Sequence, residues 1–559
     1  MRIELRRLLL LAALLPGAAL GQAAIDAPAP IVRLLSPYLS AMDADLPRRQ
    51  DDLAEILATE GYFSPQITAA GEGEALRLKI DPGPRTRVAE VNVVIDGPLP
   101  TERRRQLIDS WPLAVGEPFR QAGWNTAKQH VLGQLLADGY PAARLLNSLA
   151  DIDSERQRAA LNTHYDSGPR YRFGELRITG LQRYTPELVS RYNRDARPGE
   201  PYREADLLAL QGKLQASPYF TSVRATLDPD AHDADADGEV TAPILLEVRE
   251  RQAHRIGFGA GISSNTGGRV EANYHTPDLF NRAWSLESGL RLEQKRQTLY
   301  ADVFLPPDAR NRRHSFGAMS ERTDIADLQT ERYAFGVQSV QQRGSIEQRL
   351  SLNWQHERRT PAGALEVTSR ALVPNVMWTW RQVDHPLDPQ RGTVLQLQIG
   401  GGARAALSDQ NFLRLHARWQ QYVALGARNQ LTLRGEFGRT FADSRLHIPQ
   451  DYLFRTGGTG SVRGYAYQSL GIREGRATVG GRYLAVASAE LTHWLNEAWG
   501  IATFIDTGDA VDSLADVRLA TGYGLGARWR SPAGPIGVDL AYGQRSRELH
   551  LHFSLAIPL

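Results

Sequence analysis

The chain has 559 residues, with 65 Lys and Arg against 63 Asp and Glu, a net charge of +2 and no cysteine. Balanced charge gives no electrostatic footprint for a nucleic acid, and 23% charged with 42% hydrophobic residues argues against a polytopic helical membrane protein. The length exceeds one soluble domain, so several domains, or domains ahead of a large barrel, are expected.

Residues 1–23 read as a signal peptide: Arg2, Arg6 and Arg7 form a basic start, Leu8 to Leu15 a short apolar run, and small residues lead to a cleavage point near Ala23. The apolar run breaks at Pro16-Gly17 and is too short to span a bilayer. No later segment offers about 18 uninterrupted apolar residues. Any membrane crossing therefore has to use strands, because only helices and closed barrels satisfy their backbone in lipid. An absence of thiols fits export through an oxidising periplasm.

A repeat follows. LAEILATEGYFSPQI (Leu53 to Ile67), VLGQLLADGYPAARL (Val131 to Leu145) and LQGKLQASPYFTSV (Leu210 to Val223) share helical leucine spacing, a turn, and then an extended stretch. The flanks repeat too: Asp81-Pro82-Gly83-Pro84-Arg85 matches Asp166-Ser167-Gly168-Pro169-Arg170, a period of about 80 residues. Each period supplies a strand, a helical pair and two strands. These units resemble POTRA domains, the β-α-α-β-β modules of the periplasm, over residues 26–86, 87–170 and 171–252. The first is short ahead of its second helix, which leaves its opening strand the least defined element. Units joined this directly are expected to form a semi-rigid string.

From residue 253 to 559 the helical period disappears, and segments of about ten residues alternate between apolar and polar positions, separated by Gly, Asp, Asn and Pro turns. RIGFGAGIS (Arg255 to Ser263), QLTLRGEFG (Gln430 to Gly438) and LHLHFSLAI (Leu549 to Ile557) are examples. That alternation fits a wall with lipid outside and a polar lumen, and counting gives about 16 strands. The fold class is therefore three α+β POTRA-like repeats ahead of a 16-stranded antiparallel transmembrane β-barrel. A long segment, 441–481, falls between the eleventh and twelfth strands, and a loop of that length is usually functional.

This loop contains Gly460-Ser461-Val462-Arg463-Gly464-Tyr465. Phe504-Ile505-Asp506-Thr507-Gly508 follows, then Gly522-Tyr523-Gly524-Leu525-Gly526, then Ser531-Pro532-Ala533-Gly534-Pro535. A [V/I]RGY loop, an F-x-D-x-G strand, a Gly-rich strand and S-P-x-G-P, in that order behind POTRA-like repeats, resemble the superfamily of BamA, TamA and the two-partner secretion transporters. Three units and 16 strands resemble the TamA branch most. The resemblance implies that Val462, Arg463, Gly464 and Tyr465 fold into the lumen. It also implies that Arg463 meets Asp506 on the strand of Phe504, Asp506 and Gly508. A bidentate contact there fixes the loop, and Gly464 and Gly508 allow close backbone approach. Leu559 stands where bacterial barrels commonly end on an aromatic, so that signal is expected at Phe553.

Other motifs carry no chemistry. Asp233-Ala234-Asp235-Ala236-Asp237-Gly238 imitates a calcium loop, but its twelfth position is Ile244 and a hairpin turn is expected. No helix follows Gly522, Gly524 and Gly526, which rules out a nucleotide fingerprint. No metal-ligand pair or nucleophile elbow is visible, so no catalytic residue, metal or cofactor is expected.

The expected function is an outer-membrane assembly factor that promotes folding and insertion of outer-membrane proteins, autotransporters especially. Its barrel seam would template client strands by β-augmentation. The seam strands are those of Gly257, Phe258, Gly259 and Gly261 at one edge and Leu549, Leu551 and Phe553 at the other, with the three glycines expected to weaken pairing. Expected partners are unfolded outer-membrane clients, the lipid bilayer and, by resemblance, a TamB-like inner-membrane and periplasmic protein. The alternative is a secretion pore for one dedicated soluble cargo.

Overall fold

A computed structural model describes residues 24–39, 46–70, 77–228, 231, 235, 236, 238–531 and 534–555. The signal-peptide segment, half of the calcium-loop imitation (Asp233, Ala234 and Asp237), Pro532-Ala533 and Leu559 lie outside the described residues. No helix among them is long and apolar enough to cross a membrane, which says nothing of strands.

Three α+β modules come first. β1 (Ala24–Asp26), α1 (Ala29–Leu39), α2 (Leu46–Thr59), β2 (Gln66–Ala70) and β3 (Arg77–Asp81) form a sheet of order β1-β3-β2. The second module is β4 (Arg87–Asp96), α3 (Thr101–Asp109), α4 (Gln121–Ala137), β5 (Arg144–Asp153) and β6 (Arg158–Asp166), of order β4-β6-β5. The third is β7 (Arg170–Thr179), α5 (Pro186–Ser190), α6 (Glu204–Gln215), β8 (Phe220–Leu227) and β9 (Glu239–Glu250), of order β7-β9-β8. In each, the first and last strands run parallel and the last lies in the centre.

The helical spacing explains the cores. Leu53 and Leu57, one turn apart on α2, pack with Ile31, Leu35, Leu78 and Ile80. On α4, Val131 and Leu135 face Val93, Ile95 and Tyr165. Each fully buried Leu or Ile contributes about 1.5–3 kcal/mol.

The repeated Gly-Tyr turn marks the junctions. Gly61 accepts a hydrogen bond from Thr86 N–H at 2.9 Å, and Gly139 accepts one from Tyr171 N–H at 2.8 Å. Both glycines hold φ near +90°, at +92° and +89°. A Cβ on Gly61 would lie 2.3 Å from the Phe119 carbonyl oxygen. Both turns favour glycine for the positive φ, and at Gly61 the close approach of Phe119 excludes a side chain as well.

The remaining strands form one antiparallel sheet. They are β10 (Arg255–Ser263), β11 (Gly267–Leu279), β12 (Trp284–Glu293), β13 (Arg296–Phe304), β14 (Arg313–Ile325), β15 (Leu328–Arg343), β16 (Ile346–Pro361) and β17 (Val367–Val383). They continue as β18 (Gly392–Gly402), β19 (Phe412–Leu425) and β20 (Asn429–Phe441). A small hairpin, β21 (Ile472–Glu474) and β22 (Ala477–Val479), sits in the long loop. β23 (Tyr483–Trp494), β24 (Trp499–Val511), β25 (Ala520–Ser531), β26 (Gly534–Gly543) and β27 (Glu548–Leu555) complete the wall. Sixteen strands thus run in sequence order from β10 to β27, with the hairpin set apart.

Turn chemistry fixes the register. Between β14 and β15, Ala326 and Asp327 both take positive φ, +55° and +59°, as a two-residue hairpin of that twist requires. The period-2 pattern then sorts the faces: Ile256, Phe335, Leu352, Phe437, Ile505 and Leu525 are exposed. Their neighbours in the pattern, including Glu357, His416, Asp506, Asp539 and His552, are buried inside. By packing, the described chain divides into two compact units. One holds the described residues up to Thr179 with Arg194–Gly212 and Arg224–Glu247; the other holds the barrel with Gly180–Asn193 and Lys213–Val223.

Candidate functional site: a lumenal loop and a barrel seam

The loop from β20 to β23 lies inside the barrel. Val462 and Tyr465 are buried with Phe454, Leu470, Leu484, Val486, Ala510 and Ala520 in an apolar cluster. Gly464 sits at φ +89°, where a Cβ would come within 2.8 Å of the Tyr542 carbonyl carbon, so the loop backbone lies directly on β26. A Cβ on Gly508 would come 2.8 Å from Ala485 O and 3.1 Å from the Val462 side chain. The Tyr465 hydroxyl donates to Thr521 O at 3.1 Å and accepts from Arg545 N–H at 3.0 Å.

Arg463 is 2% exposed and uses its whole fork. Nε donates to Asp506 Oδ2 at 2.7 Å and Nη2 to Asp506 Oδ1 at 3.0 Å. Nη1 donates to Glu490 Oε2 at 2.7 Å and to Asp539 Oδ2 at 3.0 Å. The guanidinium carbon stands 3.4 Å from the centroid of the Phe504 ring, an arrangement that adds cation–π attraction to the ion pairs. Phe504, Asp506 and Gly508 alternate along β24 and so face the lumen together.

Four further residues, which sequence reasoning did not single out, complete the cluster. Arg528 donates to Asp539 at 2.6 Å and Glu490 at 2.9 Å, and Arg434 Nη2 lies 3.6 Å from Asp506 Oδ1. Three guanidinium groups (Arg434, Arg463, Arg528) thus meet three carboxylates (Glu490, Asp506, Asp539). Internal neutrality is what lets so many charges be buried, since an unpaired one costs several kcal/mol. Their only signal in the sequence is a charge at an inward position of a strand.

A second set of contacts holds the other end of the loop. Glu474 takes Arg359 and Arg445 at 2.7 Å each, Gln450 N–H donates to Glu357 at 3.0 Å, and Asp451 pairs with Arg332. Cavities of about 720 and 600 Å³ lie beside the loop.

The seam lies between β10 and β27. All other neighbours in the wall are laddered, and among the described residues no ladder joins these two. Phe258, 84% exposed, projects outward from β10, while Leu549, Leu551 and Phe553 project outward from β27. β10, with glycines at 257, 259 and 261, pairs with β11 without interruption from Arg255 to Ser263. Backbone bonds need no Cβ; the glycines instead clear the inner face, where a Cβ on Gly259 would lie 3.0 Å from Glu271 Cγ.

Residues 252–557 match the Omp85 superfamily domain. The chain belongs to the Omp85 superfamily. Among curated relatives of this Omp85 protein is an outer membrane protein assembly factor BamA from Nitratidesulfovibrio vulgaris, 25% identical over 440 residues. That alignment covers 73% of this chain and 54% of the relative, so the chain spans about half its length. A SAM50-like protein from Schizosaccharomyces pombe is 22% identical, over 68% of this chain and 86% of its own. The crystal structure of Haemophilus ducreyi BamA lacking POTRA domains 1–3 superposes with a TM-score of 0.69 at 16% identity. It covers 84% of this chain and 99% of the other, which establishes the shared fold of this Omp85 barrel.

Proposed function

We propose that this Omp85 protein is an assembly factor of the bacterial outer membrane that folds and inserts other outer-membrane proteins by templating their strands at the β10–β27 seam. The observation that carries this reading is the seam itself: β10 is fully laddered to β11 and, among the described residues, not laddered to β27. A strand edge without a ladder is a template for an incoming chain. Burial of the client's apolar band in lipid supplies the driving force. The relationship to BamA supports assembly as the function.

In this reading the three modules are POTRA domains in the periplasm, where they guide unfolded clients or dock a TamB-like inner-membrane partner. Autotransporters are the clients we favour, as in TamA-like proteins. The alternative is a secretion pore that would carry one dedicated soluble cargo through the lumen, past the Arg463 cluster.

A photo-crosslinking residue at Phe258, with a stalled autotransporter barrel as client, tests the proposal. Adducts to the client's terminal strand are expected. No adducts there, together with capture of a soluble cargo by a crosslinker at Ser461 in the lumen, would establish the secretion pore instead.

A further inference from the structure

Thr459 lies four residues before Arg463, in a turn closed by Gly458 N–H donating to Val462 O at 3.1 Å. Its hydroxyl oxygen is 3.2 Å from His552 Nδ1, 3.1 Å from Ser264 Oγ and 3.3 Å from Asn265 Oδ1. His552 is a buried, inward residue of the last strand, whereas Ser264 and Asn265 form the turn that follows the first. Loop, first strand and last strand therefore converge on one hydroxyl.

The donors and acceptors around the Thr459 hydroxyl are mutually consistent. Gly464 N–H, a pure donor, points at His552 Nε2 at 3.0 Å, so the neutral ring carries its proton on Nδ1 and donates to Thr459. Thr459 has one hydrogen, which goes to Asn265 Oδ1, a pure acceptor. Ser264 then donates to Thr459 and accepts from Phe553 N–H at 3.2 Å. The His552 ring N–H and both hydroxyl hydrogens each have a partner, and the mount is rigid because the Arg463 cluster begins four residues on.

We infer that Thr459 and His552 form a clasp that holds the seam shut, so that the lumenal loop sets how often the seam opens. This deepens the seam-templating reading and rests on it. Both are positioning residues: neither contacts a client, and each acts by keeping β10 and β27 together. Loss of two or three neutral hydrogen bonds is expected to shift the closed–open balance about tenfold.

The chain has no cysteine, so spin labels attach cleanly at Ile262→Cys and Leu549→Cys, both on the outer face. The full chain in nanodiscs of phosphatidylethanolamine and phosphatidylglycerol is measured by double electron–electron resonance. Thr459→Val is expected to raise the long-distance, open-seam population at least threefold, while Thr459→Ser, which keeps the hydroxyl, retains the parental distribution. A Thr459→Val distribution superimposable on the parent would overturn the clasp. Should Thr459→Val not reach the folded, heat-modifiable form, Ser264→Ala is judged by the same criterion. Crosslinking at Phe258 in the same samples separates the two readings: distances that move without client adducts in the parent retain the clasp and reject templating.

Discussion

Arg463 and Asp506 lie 43 positions apart in the chain and share two parallel hydrogen bonds, with the Phe504 ring stacked beneath the guanidinium. Replacing either by Ala leaves a buried cluster with unequal charge. Arg463→Ala and Asp506→Ala are each expected to cost about 3–5 kcal/mol, read as a lower urea midpoint of the heat-modifiable band. Arg463→Lys keeps the charge but not the fork, and an intermediate midpoint is expected.

Asp539 and Arg528 are expected to act as one unit with this pair. Their 2.6 Å contact predicts a coupling energy of about 0.5–3 kcal/mol in a double-mutant cycle. Additive effects of Asp539→Ala and Arg528→Ala would show that the wider cluster contributes only local packing.

Gly464→Ala combines a positive φ with a 2.8 Å approach to the Tyr542 backbone. A strain of about 1–3 kcal/mol is expected, enough to loosen the loop. Trypsin should then cut at Arg455, Arg463 or Arg473 faster than in the parent, with barrel strands remaining intact on mass spectra.

Outside the barrel, Glu250 gives a pH prediction. Burial acts to raise its pKa, but the N–H groups of Gln182 and Arg183, at 2.8 and 2.9 Å, and the Arg183 guanidinium hold it below the ordinary glutamate value. A depressed carboxylate stabilises above its unfolded pKa, about 4.3, and that stability is lost as pH falls through the folded value. Hydrogen-exchange protection of residues 182–184 should therefore drop with acidification below about pH 4.3. In Glu250→Gln the protection should be lower throughout and flat across the same range.

Much of the wall is legible in the sequence because its information is local. Alternation along a strand such as Leu549 to Phe553 fixes which face each residue takes, and Gly or Asn-rich turns fix where strands end. The loop between the eleventh and twelfth strands stands out by length alone. Contacts that depend on stagger between distant strands are not legible. Glu490, Arg528 and Asp539 meet only through the register of β23 to β26, and His552 reaches Thr459 across 93 positions. Each alone looks like any other inward polar residue.

The partners of Arg463 come from β23, β24 and β26, and Arg434 of β20 and Arg528 of β25 share the same carboxylates, all on the loop's own side of the chain. The outer anchor Arg359–Glu474, by contrast, spans 115 positions back to β16. Closing short spans costs less chain entropy than closing long ones. During biogenesis the C-terminal strands can therefore seize the loop first, and the N-terminal strands then wrap around a plug already seated, bringing β10 to β27 last.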